Sequence, residues 1–189
     1  MKLADLGFTD GINEIIAITF SKDGKVNTAP IGIIVEDANS KLAKARLYHS
    51  HTRRNVETGS KLWVNIIYDP IVWTISAFED LSEDWFESLN PPIISGSLAW
   101  CEFECEKVRD GNPAGFKLKL IDGAILRKEL RTVNRGFNAL IEALVHATRY
   151  ITNKDSSLLR KIDECRSIVE KCGSRREKKA LKILLDHIR

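Results

Sequence analysis

The stretch GINEIIAITFSKDGKVNTAPIGIIVE, residues 11–36, reads as two strands joined by a turn. Ile12, Glu14, Ile16, Ile18 and Phe20 recur at every second position and share one face of the first strand. Ser21-Lys22-Asp23-Gly24 supplies the turn, and an apolar run follows at once, a natural hairpin arrangement. The second strand is irregular in one respect, because Pro30 and Gly32 sit inside the apolar run. Proline removes a ladder donor and glycine removes a side chain, so the ladder is expected to be interrupted here, with room for a ligand close to the backbone. A bulge or an edge strand explains the same residues without a ligand.

The same alternation continues down the chain. ARLYHS, KLWVNIIYD, IVWTISAF, SLAWCEFECEKV and FKLKLID all read as strands, the last with Phe116, Leu118 and Leu120 opposite Lys117 and Lys119. Ala99, Cys101, Phe103 and Cys105 alternate against Glu102, Glu104 and Glu106. Turn signals separate the strands and no helix alternates with them, which favours an antiparallel barrel over a doubly wound sheet. After Asn134 the period changes to that of a helix, with Phe137, Leu140, Ile141, Leu144, Val145, Thr148 and Ile151 on one face. Asp155 caps a second helix carrying Leu158, Ile162, Cys165, Val169 and Cys172, and Gly173 ends it. Ser174-Arg175-Arg176-Glu177 is a capping box that opens a third, with Leu181, Leu184, Leu185 and Ile188. The fold class is mainly β with α: a barrel over residues 1–130 and a helical extension over 131–189, packed on the barrel or on a partner subunit.

Bulk properties exclude several classes. With 189 residues and 43% hydrophobic content the chain can bury a core, and a formal charge of +3 is too mild to imply nucleic acid on its own. No apolar run is long enough for a membrane span, and MKLADLGFTDG lacks the pattern of a signal peptide, so the chain reads as cytoplasmic. The four cysteines form no C-x-x-C pair and read as buried reduced thiols. Phosphate-loop glycines, G-x-G-x-x-G and G-x-S-x-G are absent.

The densest polar chemistry lies in RLYHSHTRRNVE, residues 46–57. Ser50, Thr52, Arg53, Arg54 and Asn55 combine hydroxyls with guanidinium groups, as recognition of a phosphomonoester requires. A helical turn over residues 52–57 would add free backbone N–H groups. An ordinary capped turn with solvated arginines accounts for the segment equally well by itself. His49 and His51 suggest a metal but lack a third ligand at a recognisable spacing, and Glu142 with His146 lacks the second histidine of a metalloprotease, so no metal site is assigned. Asn65 is a polar residue in an apolar strand, able to cap a bulge or to hydrogen-bond a heteroaromatic edge.

Taken together, N-x-A-P-I-G at residues 27–32, S-x-T-x-x-N at 50–55, then V-N-I and an aspartate at 64–69 resemble the FMN-binding split barrels, the superfamily of flavin reductases and pyridoxamine phosphate oxidases. With Asn134-Arg135-Gly136-Phe137 and IEALVHATR included, the pattern is most similar to domain of unknown function 447. The resemblance implies a six-stranded antiparallel split barrel of Greek-key type, paired as a homodimer with FMN near the subunit interface. It implies that Asn27, Thr28, Ala29, Pro30 and Ile31 run along the isoalloxazine ring, and that Ser50, Thr52, Arg53, Arg54 and Asn55 hold the phosphate and ribityl chain. Val64, Asn65 and Ile66 would line the ring, Asp69 would close the pocket, and Asn134 and Arg135 would add contacts, from either subunit. The implied activity is that of a flavin-dependent oxidoreductase acting on a small molecule. A non-catalytic FMN carrier or sensor is the alternative, followed by a nucleic-acid-binding barrel using Arg53, Arg54 and the basic tail around Arg175 to Lys179. No residue stands out as a catalytic acid.

Overall fold

The hairpin at residues 11–36 forms without a break in the computed structural model, which describes residues 1–189. Strand β1 (Gly11–Phe20) pairs antiparallel with β2 (Val26–Val35) from Gly11↔Val35 to Phe20↔Val26. The expected interruption at Pro30 is absent, because Pro30 sits opposite Ile16 within a continuous register. The reason lies in the direction of the backbone. Thr28 sends its N–H to Asp80 rather than to β1, and Pro30, two residues on, faces the same way, so its missing donor costs the ladder nothing. The sequence irregularity marks an open strand edge.

Six strands close the barrel. To the hairpin are added β3 (Leu42–Leu47), β4 (Leu62–Ile66), β7 (Ala99–Arg109) and β8 (Ala114–Ile125), in the order β1-β2-β3-β8-β7-β4. Closure is made by β4 on β1, from Ile16↔Asn65 to Ile18↔Trp63. A separate two-stranded sheet, β5 (Phe86–Leu89) and β6 (Pro92–Ile94), lies between β4 and β7 in sequence. The interior is filled from alternate positions: Ala43, Ala45 and Leu47 from β3, Cys101 and Phe103 from β7, Phe116, Leu118 and Leu120 from β8. Burying a phenylalanine such as Phe103 contributes about 1.5–3 kcal/mol, and Phe103 is fully buried. From β1 it is Ile15 and Ala17 that enter the core, while Ile12 is exposed; Ile16 and Ile18 are buried on the opposite face. Burial pushes the Cys101 thiol far up and the Cys105 thiol to about 11, which keeps both protonated and unreactive.

IVWTISAF is not a strand. Pro70–Phe78 forms helix α2, with Asp69 as N-cap accepting from the Ile71 N–H at 2.9 Å and Pro70 at the first helical positions. Pro after a capping Asp is a helix start, and it outweighs the β-branched run behind it. Two compact units result: Met1–Ile67 with Asp80–Glu129, and Tyr68–Glu79 with Leu130–Arg189.

The second unit is built of α2, α3 (Arg135–Asn153), α4 (Ser157–Cys172) and α5 (Arg175–Ile188). The caps fall where the side chains require. Asn134 accepts from the Gly136 and Phe137 N–H groups, and Ser174 with Glu177 closes the capping box of α5. Helix α4 begins at Ser157 with Asp155 bonded to the Ser157 N–H, one residue outside the N-cap position. The buried face of α3 is its alanine-rich side, Ala139, Leu140, Ala143, Leu144 and Ala147, so Ile151 is left exposed. Small residues let neighbouring backbones approach, most closely where Gly136 meets Gly173.

Candidate functional site

Strand β3 covers β2 only at Ile33 and Ile34, so the edge of β2 from Val26 to Gly32 has no strand beside it. Ala29, Pro30, Ile31 and Gly32 are half-buried along that edge, whereas Asn27 and Thr28 are buried at its start. Thr28 is held twice: its N–H donates to Asp80 Oδ1 at 2.8 Å, and its hydroxyl accepts from the Leu81 N–H at 3.0 Å.

Beside this edge stands helix α1 (His51–Glu57), capped by Ser50, whose hydroxyl accepts from the Arg53 N–H at 3.2 Å. Four buried polar side chains join α1 to the hairpin. Asn27 Nδ2 donates to Thr52 Oγ1 at 3.0 Å and lies 3.3 Å from Thr19 Oγ1, while Asn55 Nδ2 donates to Thr19 Oγ1 at 3.0 Å. Buried amides and hydroxyls persist only when paired, so the network sets the position of α1 against β1 and β2.

The two arginines of the turn part company. Arg53 is 8% exposed; its Nε donates to Glu57 at 3.0 Å and its Nη1 to the Gly111 carbonyl at 2.8 Å. Lys107 also reaches Glu57, at 3.1 Å, and the two cations, Lys107 first, hold the Glu57 carboxyl below its usual range. Arg53 is therefore spent on fastening α1 to the β7–β8 turn. Arg54 is exposed and lines a groove of about 460 Å³ together with Asn27, Asn55, His51, Lys22, Lys25 and Asp80. The Ser21 hydroxyl holds the nearby Asp23 carboxyl below its ordinary value.

The third segment behaves differently from a ring-lining wall. Val64 and Asn65 are wholly buried, and only Ile66 keeps exposed surface. Asn65 Oδ1 accepts from the Ile94 N–H at 2.8 Å and the Ser97 hydroxyl at 2.7 Å, and its Nδ2 donates to the Pro92 carbonyl at 2.9 Å. That amide pins the β6 segment to the barrel wall. Asp69, Asn134 and Arg135 belong to the helical unit: Asp69 caps α2 and pairs with Arg176, Asn134 caps α3, and Arg135 is exposed. His49 is exposed, with its N–H on the Asn112 side chain, and no group of three or more His, Cys, Asp or Glu side chains is arranged to hold a metal ion.

Against families of known sequence, residues 13–127 match the model described as "Protein of unknown function (DUF447) N-terminal domain", and residues 134–186 match "Protein of unknown function (DUF447)". The chain belongs to the DUF447 family. Among solved structures, this DUF447 protein is similar to the FMN-bound protein MM1853 from Methanosarcina mazei, at 36% identity over 98% of this chain and 99% of that one, with a TM-score of 0.88. It also shares the barrel fold with the flavin reductase HpaC, solved in complex with NADP+, at 15% identity over 64% of this chain and 83% of that one and a TM-score of 0.52.

Lys22, Lys25, His51 and Asp80 in this DUF447 chain join the groove without a sequence signal. Lysines around an Asp-Gly turn are ordinary, and Asp80 is brought to Thr28 across 52 positions of chain. His51 lay within the segment already singled out, and no spacing distinguished it from a surface histidine.

Proposed function

We propose that this chain binds FMN along the open edge of β2, with the phosphate end at α1, and serves as a flavin-dependent oxidoreductase of the flavin reductase kind. The observation that carries the reading is the juxtaposition of an unpaired backbone edge with a polar, cationic groove sharing Asn27. A planar heterocycle needs backbone acceptors and a donor at its polar edge and a flat wall; the Thr28 and Pro30 carbonyls and the Gly32 N–H face the open edge, and Ala29 to Ile31 give the wall. A phosphomonoester needs charge-assisted donors, and Arg54 with Lys22 and Lys25 supplies them above the amide floor of Asn27 and Asn55, with the His51 ring beside them. FMN-bound MM1853, similar over the full chain, supports the same ligand.

In this reading the chain's residues bind and orient, and FMN supplies the redox chemistry when bound. Ala29, Pro30 and Ile31 meet the ring, while Ser50, Thr52, Arg54 and Asn55 serve the ribityl and phosphate end. Arg53, Val64 and Asn65 act from behind by fixing α1 and the barrel wall. A homodimer with FMN near the subunit interface is the assembly proposed, to be read by sedimentation. No helix of the chain is long and apolar enough to cross a membrane.

The test is spectroscopic. Purified protein is expected to be yellow or to become so on adding FMN, and to be bleached by NADH or NADPH under anaerobic conditions. Protein that takes up no FMN ends the proposal; a yellow protein that neither nucleotide bleaches is a carrier rather than a reductase.

A further inference from the structure

The outer wall of the barrel carries a second groove, of about 490 Å³, between β2, β3, β7 and β8. Its centre is a glycine with an arginine on either side. Gly115 on β8 is the register partner of Arg46 on β3 and of Arg109 on β7. Neighbours in register share a face, and Gly115 lies on the same face of β8 as Lys117, opposite the core residues Ala114 and Phe116. The two arginines therefore stand on the outer face with one strand between them, two inter-strand spacings or roughly 10 Å apart at the backbone. A register shift between Lys107 and Arg109 gives Val108 the extra position of a bulge and brings Arg109 opposite the glycine. Arg109 also leans inward: its Nε lies 3.8 Å, and its Cβ 3.2 Å, from where a Cβ on Gly115 would be.

Two more cations complete the cluster. In the next row Lys44 faces Lys117, and Lys117 faces Glu106 beyond it. Of the four cations lining the groove, only Lys44 has a carboxylate within ion-pair distance, Glu36 at 2.5 Å. Like charges directly opposite on a sheet repel, as Lys44 and Lys117 do here, and a bound anion relieves that repulsion. Half-buried Ile34 and exposed Leu42 and Val108 add apolar wall around the cations.

We propose that this groove is a binding site, separate from the FMN groove, for a small molecule bearing a phosphate or diphosphate on a body that presents an apolar face, as the base of a nucleoside diphosphate does. Arg46 and Arg109 grip the anion from two sides over Gly115, Lys117 adds a third contact, and Ile34, Leu42 and Val108 receive the body. The inference is independent of the flavin reading, since it uses none of the residues assigned to FMN.

Calorimetric titration of the full-length protein with ADP tests it. Saturable one-to-one binding is expected, weakened about tenfold or more in Arg46→Ala/Arg109→Ala. Gly115→Ala, which fills the floor against Arg109, is expected to weaken ADP as well. FMN uptake by both variants should equal that of the wild type, which separates this site from the other. The proposal is overturned if the wild type gives no saturable heat with ADP, or if the double variant binds ADP as tightly. It is equally overturned if the wild type is a dimer that the double variant turns into monomers, for then a second copy covers this face.

Discussion

Asn27 on β2 donates through Nδ2 to Thr52 Oγ1 on α1 at 3.0 Å, and this bond joins the strand proposed for the flavin ring to the helix proposed for its phosphate. Both residues are buried, at 8% and 2% exposure, and of the two only Asn27 lines the groove. Thr52→Val keeps the shape and removes the acceptor. It is expected to lower stability by about 1–2 kcal/mol, the cost of a buried donor deprived of a partner, and to weaken FMN. Urea titration and flavin fluorescence measure the two effects, and unchanged values in both would remove the network from the site.

Arg53 and Arg54 are adjacent and should fail in different ways. Arg53→Ala breaks bonds to Glu57 and the Gly111 carbonyl, so thermal stability should fall by about 1–3 kcal/mol. Arg54→Ala should leave the melting temperature in place and weaken FMN far more than riboflavin, because only FMN carries the phosphate. Equal losses for the two flavins would put the phosphate elsewhere.

Within the helical unit, Gly136 and Gly173 allow no side chain between them. A Cβ on Gly136 would lie 2.4 Å from both the Cα and the N of Gly173, and 2.9 Å from the Cys172 carbonyl carbon. Every obstructing atom is backbone, so Gly136→Ala must push the start of α3 away from the α4–α5 turn. A loss of about 1–3 kcal/mol, the usual range for overpacking, should appear as a lower melting temperature by circular dichroism.

His187 near the end of α5 has an acceptor at each ring nitrogen: the Ile183 carbonyl at 2.9 Å from Nδ1 and Glu79 Oε1 at 3.1 Å from Nε2. Only the imidazolium donates to both, and it does so stacked on Phe78 at 4.5 Å. The Ile183 carbonyl is the main cause that raises its pKa above the ordinary 6.5; burial opposes it, and Glu79 and Asp186 add to it. A folded pKa above the unfolded one makes the contribution complete below about pH 6.5 and lost as pH rises through the folded value. Thermal melts from pH 5.5 to 8.5 should therefore show wild type losing its advantage over His187→Gln as pH increases. A constant difference between the two proteins would rule this out.

Much of the architecture was legible in the residues. FKLKLID declared its inner and outer faces, Asn134 and Ser174 declared two helix starts, and of the two polar segments Asn27, His51, Arg54 and Asn55 come to line one groove. IVWTISAF was not legible, since a short apolar run has no period to separate a buried strand from a buried helix, and the Asp69-Pro70 start had to decide. In β1 the alternation was visible but not its sense, and Ile15 rather than Ile16 faces the core.

The sequence alone determined the periods, the caps and the kinds of side chain available to hold a phosphate, because these depend on residues a few positions apart. Only the tertiary structure decided which of them are spent on the fold. Arg53 and Asn65 carry donors suited to a ligand, yet the Gly111 turn and the β6 segment take them up, while Lys22 and Asp80, without any motif, arrive beside Asn27. Arg46 and Arg109 are 63 positions apart and share Gly115 because one strand lies between them. Such pairings are set by register across the barrel, and register is a property of the closed sheet rather than of any one strand.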